Sequence, residues 1–291
     1  MDYIFPRFAR FAVITAWILL VTGCSDGTSF PADNNLVYEQ GDEIGTVGGG
    51  DTGTGGAEGG SLLETVPAEG LWRGLTSTDR AIVGAVLDDD TYWFVYSIVG
   101  NNVLVGNTYM VGGFVQGTGV ASNGSFTSDD GRDFTFEGPG VLGVTLDSAA
   151  VRSDIFFSTS LNGSIEYSSG TVTFESSYDS DYEDTPNLAD IAGTYTVSVY
   201  TSGGRDPASV TITSGGGIDI LGSSGCAASG SLSPRANGNI YNVSIAFGGG
   251  VCVNGTDTLT GIAHFYSANQ ELTVAGVNGD RTSGFVILGT R

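Results

Sequence analysis

The chain has no lysine and one histidine, His264, in 291 residues. That scarcity removes most routes to nucleophilic catalysis. A Ser-His-Asp or Cys-His site has one imidazole to draw on, and a Schiff-base site has no amine. Cysteine is almost as rare. Cys226 and Cys252 lack the spacing of a zinc site, and one histidine cannot complete one. Ten arginines face 32 acidic residues, for a formal net charge of −22. Such a chain repels nucleic acid and anionic lipid, so neither is expected as a partner. No cofactor is expected, and the chain reads as a non-enzyme. Proline is sparse, at seven residues, and charged residues make up only 14%.

What the chain has instead is glycine, at 47 residues, with abundant Ser, Thr and Val. This is the composition of an all-β protein with many tight turns. Asn-Gly pairs stand at Asn123-Gly124, Asn162-Gly163, Asn237-Gly238, Asn254-Gly255 and Asn278-Gly279. Both residues tolerate positive φ, which suits the turns that join antiparallel strands. Runs such as "AIVGAVLD", "TYWFVYSIV", "GTYTVSVY" and "SGFVILGT" read as strands.

The N-terminus has its own pattern. Arg7 and Arg10 precede an apolar run from Phe11 to Val21, which is too short to span a bilayer. Thr22 and Gly23 then lead to Cys24. This order of basic flank, apolar run, small residues and cysteine resembles the lipobox of bacterial lipoproteins. The resemblance implies removal of residues 1–23 and acylation of Cys24 as the mature first residue, tethering the protein to membrane. Ser25 after the cysteine implies sorting to the outer membrane of a Gram-negative cell. The plainer reading is an ordinary signal peptide with an incidental cysteine. With Cys24 lipidated, Cys226 and Cys252 form an even pair in an exported chain and read as a disulfide. Two buried thiols are the alternative.

Residues 24–69 read as a flexible acidic tether. From residue 25 they hold nine acidic residues, no basic one, and the run "GTVGGGDTGTGGAEGG". A Gly-rich coil of this length spans about 35–40 Å. Its composition resembles the glycine-rich anchors of Gram-negative surface lipoproteins of the factor H-binding and transferrin-binding types.

The acidic stretch "SYDSDYEDTPNLADIAG" divides the remainder into domains at 70–188 and 189–291. Similar layouts after Gly70 and Gly193 suggest two related antiparallel units of about eight strands, each a small β-barrel or sandwich. The stretches "TYWFVYS", "GFVQGTG", "SVTITSGG", "GNIYNVSIAFGGGVC" and "TGIAHFYS" resemble a family of proteobacterial secreted or lipid-anchored proteins. That resemblance covers most of 70–291 and brings no activity with it.

Few residues stand out as a site. Asp179, Asp181, Glu183 and Asp190 fall at calcium-loop spacing, but Asp184 occupies the position that needs glycine. A solvated acidic linker is the main reading and weak calcium binding the alternative. Gly70-Leu71-Trp72 is similar to the Gly-x-Trp that opens lipocalin barrels, with Arg152 a poorly placed packing partner; Trp72 is expected to plug one barrel end. In "TYWFVYS", Tyr92, Phe94 and Tyr96 point one way and Trp93 and Val95 the other. One set faces the core. The other is either displayed as a protein- or glycan-binding surface or buried between the units, and burial is the main reading. His264 shares a strand face with Ile262 and Tyr266 and reads as structural. The function these features suggest is a non-enzymatic envelope binding module. A lipocalin-like carrier of a small apolar ligand and a carboxylate-dependent glycan hydrolase are the alternatives, although acidic residues such as Asp88-Asp89-Asp90 sit in turns.

Overall fold

The computed structural model describes residues 67–102, 104, 110–137, 145–156 and 159–291. Cys24, the leader and the tether as far as residue 66 lie outside these residues; the end of the expected tether belongs to the fold, with Ala68 buried and Glu69 Oε1 accepting the Tyr182 hydroxyl at 2.8 Å.

The described chain is almost all β and forms two closed antiparallel barrels of eight strands each. The first contains β1 (Gly70–Thr76), β2 (Ala81–Val86), β3 (Thr91–Ser97), β4 (Val111–Thr118), β5 (Val120–Ser122), β6 (Ser125–Thr135), β7 (Thr145–Phe156), β8 (Ser160–Tyr167) and β9 (Gly170–Asp179). It closes through β1–β9 at one seam and β4–β6 at the other. The short β5 only extends the pairing along β6. The second barrel is a plain meander of β10 (Gly193–Thr201), β11 (Gly204–Ile212), β12 (Gly217–Gly222), β13 (Ala227–Pro234), β14 (Tyr241–Phe247), β15 (Thr258–Tyr266), β16 (Glu271–Val277) and β17 (Gly284–Thr290), closed by β10–β17.

Alternation decides what fills each barrel. In β14, Tyr241, Val243, Ile245 and Phe247 are buried while Asn242 and Ala246 are exposed. Together with Tyr195, Phe265, Phe285 and aliphatic residues they fill the second barrel. That is the natural state of an eight-stranded barrel, whose interior is just wide enough for its own side chains.

Four of the five Asn-Gly pairs lie in the connections between strands. The exception is Asn162-Gly163, which lies inside β8. There Asn162 Oδ1 accepts the Ser176 backbone N–H at 3.0 Å. A Cβ on Gly163 would meet the Arg152 carbonyl at 2.0 Å, so this glycine permits close strand approach rather than a turn.

Cys226 and Cys252 are bonded, with Cα atoms 4.7 Å apart. Cys226 precedes β13, and Cys252 lies in the loop after β14, folded back so that its sulfur lies 3.5 Å from the Ala227 carbonyl oxygen. The bridge therefore pins the β14–β15 loop to the start of the neighbouring strand. Replacing both cysteines by alanine is expected to reduce stability by about 3 kcal/mol on the chain-entropy estimate. In a thermal melt this is a drop of roughly 6–12 °C. A drop under about 2 °C would show that the loop is held without it.

The barrels share a core. Leu71, Trp93, Val95, Phe114 and Phe134 of the first pack with Tyr200, Ile240, Val277, Val286 and Leu288 of the second. Trp93 and Val95 are thus the set buried between the units. Arginines frame this seam. Arg235 pairs with Asp88 and, at 3.1 Å, with Asp89, and Asn237 adds a bond to Asp88 at 2.8 Å. Arg281 reaches Asp130 Oδ2 at 3.1 Å and the Gln116 carbonyl at 2.7 Å. The hydrogen bond from Arg235 holds the Asp88 carboxyl below its usual range. A carboxyl lowered by folding stabilises above its unfolded pKa, and that contribution is lost as pH falls through the lower folded value. Asp88→Asn is therefore expected to be less stable than the native chain at pH 7, the difference closing as pH falls below the ordinary carboxylate range. Urea unfolding of both proteins across pH checks this, and a constant difference would contradict it.

Candidate functional site

The first barrel is not filled. Tyr92, Phe94 and Tyr96 of β3 point inward, and the strands beside them carry glycine where these rings lie. Tyr92 is paired with Gly117 and Tyr96 with Gly113 across to β4, and Phe94 with Gly84 across to β2. A Cβ on Gly117 would come within 2.5 Å of the Tyr92 hydroxyl, and one on Gly113 within 2.3 Å of the Tyr96 hydroxyl. The pattern "GGFVQG" in β4 thus admits rings laid flat on the wall, with only Val115 rising between them.

The lower half of this interior is closed. Trp72, Tyr92, Phe126 and Leu161 are almost fully buried there, with Tyr92 edge-on to Phe126 at 5.7 Å. Trp72 donates its indole N–H to the Ala68 carbonyl at 3.1 Å and meets Tyr178 edge-on at 5.3 Å. Above this floor is a cavity of about 310 Å³. That lies at the small end of the range for ligand pockets. Its wall is apolar, from Ile82, Phe94, Val115, Val151, Ile165 and Phe174. It runs toward the β1–β2 and β8–β9 turns, where Thr76, Thr78, Arg80 and Ser169 line it.

One polar constellation interrupts the wall. Asp133 is buried, and its two carboxylate oxygens accept the hydroxyls of Tyr96 at 2.6 Å and Tyr167 at 2.9 Å. Burial, reinforced by Asp133, pushes the Tyr96 hydroxyl well above its ordinary pKa. Burial likewise pushes Tyr92 up to about 12. Both phenols therefore stay protonated at physiological pH; Tyr96 donates to Asp133, and the Tyr92 hydroxyl shares a hydrogen bond with Ser128 Oγ at 3.0 Å. Arg80 lies over the Tyr96 ring at 5.1 Å and pairs with Glu137, so it adds no unbalanced charge.

The displayed alternative for Tyr92, Phe94 and Tyr96 is corrected: β3 alternation and the facing glycines bury them inside the first barrel, and Trp72 of β1, the other candidate for a binding surface, is buried there too. The three residues from β3 line the cavity, while Trp72 lies in the packed interior. The possible calcium set does not converge either. Asp179 caps a 3-10 turn at Ser180–Glu183 and pairs with Arg73. Asp181 meets His264 Nε2 at 2.7 Å, and Glu183 takes the Tyr178 hydroxyl. Asp190 contributes only its backbone carbonyl, to Arg291. Among the described residues no three His, Cys, Asp or Glu side chains gather as a metal site.

Sequence reasoning missed Asp133, Tyr167 and Arg80. Asp133 was hidden by a bulge in β6 between Ser128 and Gly131. An extra residue there shifts the alternation, so a carboxylate turns inward after an apparently exposed Asp-Asp-Gly turn.

No protein-family model matches the chain, and no curated protein does. Solved structures give distant likenesses. A protein of Bacteroides fragilis assigned to the outer membrane is 14% identical at TM-score 0.23, over 77% of this chain and 96% of its own. The isotype 1 transferrin binding protein B of serogroup B Neisseria meningitidis is 10% identical at TM-score 0.27, over 73% of this chain and 65% of its own. The Myxococcus xanthus hemagglutinin, solved with a mannopentaose, is 15% identical at TM-score 0.14, over 76% and 93%. Likeness at these TM-scores carries no argument about function.

Proposed function

We propose that this chain is a non-enzymatic, lipid-anchored protein of the Gram-negative outer membrane whose first barrel carries a small, largely apolar, uncharged ligand. The observation behind this reading is the contrast between two eight-stranded barrels of one chain. One interior is filled, and the other keeps a walled apolar cavity with a buried Tyr–Asp–Tyr group. Apolar walls with a few fixed polar groups are the usual make-up of a ligand pocket. An anionic ligand would enter against a net charge of −22, which disfavours it.

The chemistry at hand favours binding over catalysis. Among the described residues lining the cavity Asp133 is the one carboxylate, while glycoside hydrolysis takes a pair. His264 lies elsewhere, against Asp181. Ligand extraction tests the proposal. Protein purified from membranes, then unfolded in organic solvent, is expected to release a stoichiometric small molecule visible by mass spectrometry. The anchor is tested by Cys24→Ser, which should move the protein from the membrane to the soluble fraction or leave an unprocessed precursor. A fatty-acid analogue that still labels Cys24→Ser would overturn the anchor and leave the cavity reading standing.

A further inference from the structure

A second recess, unrelated to the barrel interior, runs between the two barrels. It measures about 540 Å³ and lies between β3–β4 of the first barrel and the outer face of β13–β15 of the second. Its second-barrel wall is a grid of small polar side chains in register. Ser231 pairs with Ser244 and Ser244 with Thr260, while Ser233 pairs with Asn242 in the next row. Small groups on this face leave a trough where larger ones would close the seam. Trp93 lines the opposite wall, with Phe114 stacked behind it at 6.1 Å.

Three side chains along the recess each keep one polar atom without a hydrogen-bond partner. Gln116, Arg235 and Arg281 all line it. Gln116 Oε1, Arg235 Nε and Arg281 Nε are buried, and none has a hydrogen-bond partner. Gln116 is only 7% exposed, so its unmet acceptor is not a surface amide facing bulk water. Buried polar atoms left unpaired are destabilising, so this part of the seam is short of hydrogen bonds behind the trough's surface.

We infer that this trough is a binding site for a neutral oligosaccharide. Sugar hydroxyls each donate and accept, and the second-barrel wall offers both roles in the hydroxyls of Ser231, Ser233, Ser244 and Thr260 and in the Asn242 amide, whose Oδ1 also accepts from Arg235 Nη1 at 2.9 Å. An anionic ligand fits less well. The outer nitrogens of Arg235 and Arg281 already hold Asp88, Asp89 and Asp130, which an anion would have to displace. The site is independent of the cavity, so either can stand without the other.

The test is calorimetric titration of the full-length protein with maltoheptaose, cellohexaose, laminarihexaose and chitohexaose. At least one is expected to bind saturably. Ser244→Tyr, which places a ring in the trough, and Asn242→Ala are each expected to weaken that binding roughly tenfold or more. Val115→Trp, which alters only the barrel cavity, should leave it unchanged. Should Ser244→Tyr not fold, Asn242→Ala carries the test, since Asn242 is exposed on β14. Binding of none of the four sugars overturns the inference and makes the trough a solvated seam. Binding that is indifferent to both trough variants, or abolished by Val115→Trp, overturns it as well.

Discussion

Phe114→Ala is expected to destabilise the protein by about 4 kcal/mol, within the usual range for deleting a buried phenylalanine. Phe114 is fully buried although it points out of its own barrel. It stacks on Phe134 at 4.5 Å with planes 4° apart, and Trp93 and Phe136 flank it. Across the seam it faces Gly284 of β17, where a Cβ would come within 2.7 Å of the ring. One side chain therefore belongs to the packing of both barrels. Neighbouring aromatics lie flat on its faces and cannot swing into the space it leaves. Urea unfolding should show a single transition for the native chain, followed alike by tryptophan fluorescence and by circular dichroism, because the shared core couples the barrels. Phe114→Ala should lower the midpoint and separate the two probes. A loss under about 1 kcal/mol, or two transitions in the native protein, would mean that the barrels merely touch.

Much of the fold could be read from local chemistry. Strand alternation in "IYNVSIAF" and "TYWFVYS" gave strands with defined faces, and four Asn-Gly pairs fell in connections, with positive φ at both residues at Asn123 and Gly124. The reading failed at Asn162-Gly163 because the same dipeptide also suits a strand that must approach its neighbour closely. The choice between barrel and sandwich rested on closure of β4 onto β6 and β10 onto β17, contacts far apart in sequence that no local pattern encodes. The site was half legible. That Tyr92, Phe94 and Tyr96 share one face of β3 was visible, but not that this face turns inward; what makes them cavity walls is glycine on adjacent strands, a matter of register. Asp133 needed the β6 bulge to turn inward. The acidic linker looked like a calcium loop by spacing alone; its carboxylates are separated by their individual bonds to Arg73, His264 and Tyr178.

The second large effect concerns the cavity. Val115 is almost fully buried and lies between Gly113 and Gly117 on the wall opposite Ile165 and Phe174. A tryptophan here has room to enter, because the space before it is unfilled, so Val115→Trp should fold and keep its melting temperature within a few degrees. It should nevertheless abolish ligand binding, since the indole occupies the volume a ligand would take. Val172→Trp, across the cavity near its mouth, is the second blocking variant if the first overpacks.

The most direct measurement is a fluorescence titration of the delipidated protein with N-phenyl-1-naphthylamine, a neutral aromatic amine that brightens in apolar surroundings. The account predicts one saturable site per chain, with emission shifted to the blue. It also predicts that Val115→Trp or Val172→Trp abolishes this signal while the second barrel and its disulfide stay intact. No saturable enhancement in the native protein, or an enhancement that both blocking variants leave unchanged, would contradict the claim that the first barrel is a ligand carrier.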